Sequence, residues 1–253
     1  MTRFVAIVRV TLLQLVGRLR SIGLLVLAAV PAVILLLVAL NVDDRETEEF
    51  FRTGLLFMVL GVTVPIIAII LGAGSLGDER SAKTMSYLAL RPIRREVIAV
   101  AKLVSAWLAS FLVAGSGALL TAAVLGITVG SWDETFAILM ATAITTLGFV
   151  AIMQFIGYLT DRAVLIGLAY LLIWEGIVTG AAGQVATTSI WRIGVSAYAG
   201  IVASLEGPAL ADLEDMLSGV IPGAWGALFK VLGVGVISVV LTGYLMRKRD
   251  LVS

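Results

Sequence analysis

The stretch from Ser21 to Leu40 runs for 20 residues without a single charged side chain. As a helix it would rise about 30 Å, which is the thickness of a bilayer's hydrocarbon core. Comparable apolar runs recur at about Gly54–Leu76, Leu103–Gly130, Phe136–Leu159, Ala163–Gly183 and Gly223–Met246. Charged residues make up 14% of the chain, against about 25% in soluble domains, too few to coat a body this size in water. The expected fold is all-α: one transmembrane domain over residues 1–253 with six spans. The first run is too long for the apolar part of a signal peptide, and no A-x-A-like site follows it before Asn41. It is therefore read as a span.

Lys and Arg orient those spans. Arg3, Arg9, Arg18 and Arg20 precede the first, and Arg80, Lys83, Arg91, Arg94, Arg95 and Lys102 lie between the second and third. Arg162 joins the fourth to the fifth, and Arg247, Lys248 and Arg249 follow the last. The opposite side holds Arg45, Arg52 and Arg192 and most of the acidic residues. Basic residues gather on the cytoplasmic side of membrane proteins, so both termini are expected in the cytoplasm of a multi-pass protein of the cell membrane. Residues 3–20 space Phe4, Ile7, Val8, Leu12 and Leu15 at helical intervals among arginines. Two readings fit: a helix lying in the lipid interface, or a basic leader that orients the first span. The outer segment 184–222 is too long for a turn, and it is expected to form two short helices dipping at the outer face.

The segment 78–102 carries nine of the chain's charges and is longer than a connection between two spans requires. Asp78 is placed to cap a helix with Glu79 in its first turn and with Ala82, Met85 and Leu88 along one face. That helix should end by Arg91, because the residue before Pro92 is disfavoured in helical geometry; Pro92 then opens the next helix, which is expected to carry Arg94, Arg95 and Lys102 at the headgroups. A basic patch that binds anionic lipid is the simpler reading, but it leaves the Met85/Leu88 face and the placed proline unexplained.

This pattern resembles the cytoplasmic signature of type-2 ABC transporter permeases, which reads like "GE+..GTL..LL..P+.R...+.K". Glu79, Arg80, Thr84, Leu88, Arg91, Pro92, Arg94, Arg95 and Lys102 hold matching places, while Lys83 stands where the family often has glycine. The resemblance implies that the loop is a coupling helix seated on a separate ABC-type ATP-binding subunit, with Met85 and Leu88 as apolar anchors and Glu79, Arg80 and Arg91 as rim contacts. ATP and Mg would then be bound by that partner and not by this chain. It further implies a second permease copy or paralogue, export of a hydrophobic or amphiphilic cargo, and a minor ATPase contact at Asp161–Arg162, which otherwise reads as a polar turn.

The chain contains no G-x-x-x-x-G-K-[ST], no histidine and no cysteine. It therefore has no phosphate-cradling loop of its own and none of the usual general-base, thiolate or zinc chemistry, and it is expected to be no enzyme. Nucleic acid is not an expected partner. Glu175 and Lys230 are the ionisable residues within the spans, at similar depth from the outer end. They suggest a buried ion pair or a shared vestibule, or else a lysine that reaches out to the headgroups. With Glu175 as an ion carrier the chain would be an ion-coupled transporter, and a non-transporting scaffold is the third class. Gly176 and Gly180 have the GxxxG spacing that allows close helix approach, within one chain or between two.

Overall fold

Every regular element of the computed structural model is helical within the residues it describes, which are 3–17, 19–81, 94–178, 187–202 and 223–250. Lipid offers the backbone no hydrogen bonds, so each spanning segment has to satisfy its own N–H and C=O groups. The chain begins with α1 (Arg3–Val16), bends at Gly17, and continues as α2 (Leu19–Ala39). The expected interfacial helix over 3–20 thus ends earlier, and Arg20 belongs to the first turn of α2. The acidic stretch after α2 forms α3 (Asp44–Phe50), whose first turn is capped by Asp43 accepting the Glu46 N–H. It passes through wider π-helical turns, Phe51–Leu55 and Met58–Thr63, into α4 (Val64–Ser81). Those wide turns lie just before Pro65, whose ring would collide with the carbonyl four residues back in a regular α-helix.

α5 (Arg95–Thr128) is 34 residues long, or about 51 Å. It starts eight residues before the expected span at Leu103. α6 (Glu134–Leu159) returns, and α7 (Ala163–Tyr170) continues as the π-helical segment Leu171–Val178. A short α8 (Ile190–Ala199) and a long α9 (Gly223–Asp250) complete the described chain.

Among the described residues, five helices are long and apolar enough to cross a membrane: Leu19–Ala39, Met58–Ser81, Arg95–Thr128, Glu134–Leu159 and Gly223–Lys248. This is a multi-pass membrane protein. The run expected as a further span at 163–183 is seen as the shorter apolar helix Ala163–Val178, and residues 179–186 lie outside the described ones. Of the outer segment, α8 is the described helix, and residues 203–222 also lie outside.

α5 and α6 form the centre. α5 packs against α1, α2, α3, α4, α6 and α9, while α6 packs against α4, α7, α8 and α9 as well. Backbones come very close where glycines permit it. A Cβ on Gly157 of α6 would stand 2.4 Å from the Ala73 carbonyl oxygen of α4, and one on Gly117 of α5 would stand 2.1 Å from that of Ala28 in α2. By contrast, α2 and α9 keep large apolar side chains exposed, among them Leu25, Val33, Leu37, Phe229, Val236 and Ile237. In a bilayer such exposure requires no cover from water.

Candidate functional site

No glycine or proline interrupts the chain between Gly77 and Ser81, so α4 carries straight through the residues expected to begin a new helix. Asp78 is therefore no N-cap. Successive side chains on this last turn fan out by about 100° and reach different neighbours. Asp78 accepts a hydrogen bond from Arg20 of α2 at 3.0 Å. Glu79 forms an ion pair with Lys102 of α5. Arg80 donates to the Tyr158 carbonyl at 3.0 Å, and its Nε lies 3.7 Å from Asp161. The Ser81 hydroxyl lies 3.4 Å from the same carboxylate. One helical turn is bonded to α2, α5, the end of α6 and the α6–α7 turn.

This geometry revises the roles read from sequence. Glu79, expected as a rim contact for a partner, turns inward to Lys102. Lys102, expected at the headgroups, is 2% exposed. Asp161, on the turn expected as a second contact, lies against Arg80 and Ser81, so the two expected contact regions are neighbours. Arg162 is exposed, and its N–H donates to the Thr160 hydroxyl at 3.2 Å. Across the loop, Arg94 holds the extended N-cap position of α5 and is exposed, while Arg95 stands in the first turn. Next to it, Glu96 pairs with Arg247 of α9. Thr84, Met85, Leu88, Arg91 and Pro92 lie outside the described residues, as does Gly180.

At the other end of the bundle, Glu175 and Lys230 are not brought together. Lys230 is exposed on α9. The buried Glu175 carboxylate instead accepts from the Tyr170 hydroxyl at 2.8 Å, from the Ile190 N–H at 3.0 Å and from Ser189. It thereby satisfies the start of α8, where free N–H groups attract a carboxylate. Gly176 is exposed, and a Cβ there would meet only the Leu171 carbonyl oxygen, at 3.8 Å.

A second buried cluster has no counterpart in the sequence reading. Arg52 donates to Glu134 at 2.8 and 3.1 Å and lies 2.9 Å from Glu48, while the Tyr198 hydroxyl donates to the other oxygen of Glu134. Burial first, and then the nearby Glu134 charge, push the Tyr198 phenol well up, so it stays a donor. Arg52, Glu134 and Tyr198 are far apart in sequence, and no short-range spacing links them. Among the described residues no group of acidic side chains is arranged to hold a metal ion.

The family model of the ABC-2 family transporter protein matches residues 16–174, from the end of α1 into the π-helical continuation of α7. The chain belongs to that family. A comparison with the curated proteins gives no match. The protein is thus a membrane permease of an ABC transporter, as its signature at Glu79–Lys102 suggested. ABC-2 permeases are generally non-catalytic membrane subunits that normally work with an ABC ATP-binding subunit. The match includes the bonded end of α4, the start of α5 and the Asp161 turn. α8, with its Glu175 and Glu134 contacts, and α9 lie beyond it.

Proposed function

We propose that this ABC-2 permease is the membrane subunit of an ATP-driven exporter, with the segment between α4 and α5 as its docking element for a separate ATPase. ATP and Mg belong to that partner, and two permease copies, or one with a paralogue, complete the transporter. Both termini and the docking segment face the cytoplasm, in line with the basic residues at that end. The cargo is hydrophobic or amphiphilic, in keeping with the largely apolar spans.

The observation that carries this reading is the last turn of α4. A segment that receives force must be joined firmly to the helices it moves, and Asp78–Ser81 are bonded to α2, α5, α6 and the α6–α7 turn. The ion-coupled alternative draws less support. The carboxylate it would use, Glu175, accepts hydrogen bonds from Tyr170, Ser189 and Ile190 and caps α8.

The test is a Met85→Asp/Leu88→Asp double substitution. Apolar anchors at the centre of an interface carry most of its energy, at about 2 kcal/mol or more each. Replacing both with carboxylates should cut ATPase capture by at least about a hundredfold, while the permease inserts and melts as before. An ATPase that stays bound and active beside the doubly charged segment refutes the docking reading.

A further inference from the structure

Among the described residues, ion pairs tie α4 and α5 to their neighbours at the basic end, and they differ in how easily water can replace a partner. Arg20–Asp78 has side-chain exposures of 28% and 29%, Arg80–Asp161 has 30% and 64%, and Arg247–Glu96 has 64% and 36%. In Lys102–Glu79 the values are 3% and 19%. Pairs reached by solvent separate at little cost, because each charge is rehydrated as its partner leaves. A buried ammonium has no such substitute, and separating it from its carboxylate strands a charge in an apolar setting. Ile98, Ala99, Ala101 and Leu103 around Lys102 are all buried, so the lysine head has no short way out along its own helix.

We propose that Glu79 and Lys102 are a positioning pair that makes the basal end of α4 and the length of α5 move as one body, while the more accessible pairs act as releasable joints to α2, α9 and the α6–α7 turn. The inference rests on the docking reading above and adds how displacement enters the bundle. Glu79 lies two residues before the end of α4. Lys102 lies two turns up α5, a helix that reaches the opposite end of the molecule at Thr128. Displacement of the last turn of α4 therefore either carries α5 with it or breaks the bond water cannot replace. α5 touches α1, α2, α3, α4, α6 and α9, so its movement is felt through most of the bundle.

The chain has no cysteine, which makes introduced labels unique. Nitroxides at Ile127→Cys on α5 and Phe229→Cys on α9, both exposed, report the distance between these helices far from the basic end. The measurement is made on the permease–ATPase complex in proteoliposomes, with and without ATP. An ATP-driven change in distance is expected with the unsubstituted pair and with Lys102→Arg, which keeps the cation. It should fall to less than half in Lys102→Met and in Glu79→Gln, with the ATPase still bound. Neutralising the exposed pair by Glu96→Gln should leave it intact. A full change in an assembled Lys102→Met or Glu79→Gln complex overturns the proposal. So does failure of both neutral variants to assemble, since the bond would then be purely structural. An ATPase that does not bind even the unsubstituted chain overturns the docking reading, and this joint with it.

Discussion

Glu134 is fully buried, yet it is one of the best satisfied carboxylates in the molecule, with Arg52 on one oxygen and the Tyr198 hydroxyl on the other. Arg52→Met would strand that charge, and removing one partner of a buried pair costs about 3–5 kcal/mol. Tyr198→Phe removes a single hydrogen bond to a charged group and should cost about 1–3 kcal/mol. Thermal unfolding in detergent should place the two variants in that order. Equal melting points would mean that water reaches Glu134 in the folded protein. At this scale the sequence marked which residues were expensive to bury and not which would meet, because Arg52 and Glu134 stand 82 positions apart.

Among the elements, α4 and α6 share a backbone contact through Gly157. An alanine there would put its Cβ 2.4 Å from the Ala73 carbonyl oxygen, an atom that can move only if the helix moves. Overpacking of this kind costs about 1–3 kcal/mol, so Gly157→Ala should lower the melting temperature. Gly115→Ala serves as the comparison. Its Cβ meets the ring edge of Phe111 at 3.3 Å, which can rotate aside, and alanine favours helix by up to about 1 kcal/mol. That variant should melt at or above the unsubstituted protein. A Gly157→Ala protein as stable as Gly115→Ala would show that the α4–α6 spacing is not set by this contact. The apolar runs foretold both helices, but a run of small residues does not say which helix comes close to which.

For the whole molecule, the asymmetry of Lys and Arg predicts one orientation. A membrane-impermeant maleimide should label Glu49→Cys in intact cells and should label Lys248→Cys only after the membrane is opened. Both positions are charged and exposed, Glu49 on α3 and Lys248 in the last turn of α9, and the native chain offers no competing thiol. Labelling in the reverse pattern would invert the topology and remove the docking segment from the cytoplasm.

Membrane residence, the helical class, the orientation bias and the family signature around Glu79 and Lys102 were all legible in the sequence. Each rests on local composition or short spacing, and a bilayer reads those directly as run length and loop charge. Tertiary structure decided what lies between distant positions. Asp78 looked like a helix cap by its neighbours, but α4 runs through it and Arg20 takes its carboxylate. Lys102 looked like a headgroup lysine, and Glu79 draws it into the bundle. Glu175 and Lys230 matched in depth, but depth along a helix leaves rotation about its axis open. The fold turned Glu175 toward the start of α8 and left Lys230 exposed on α9. Side-chain partners depend on helix rotation and on which helices adjoin, and packing of the whole bundle sets both.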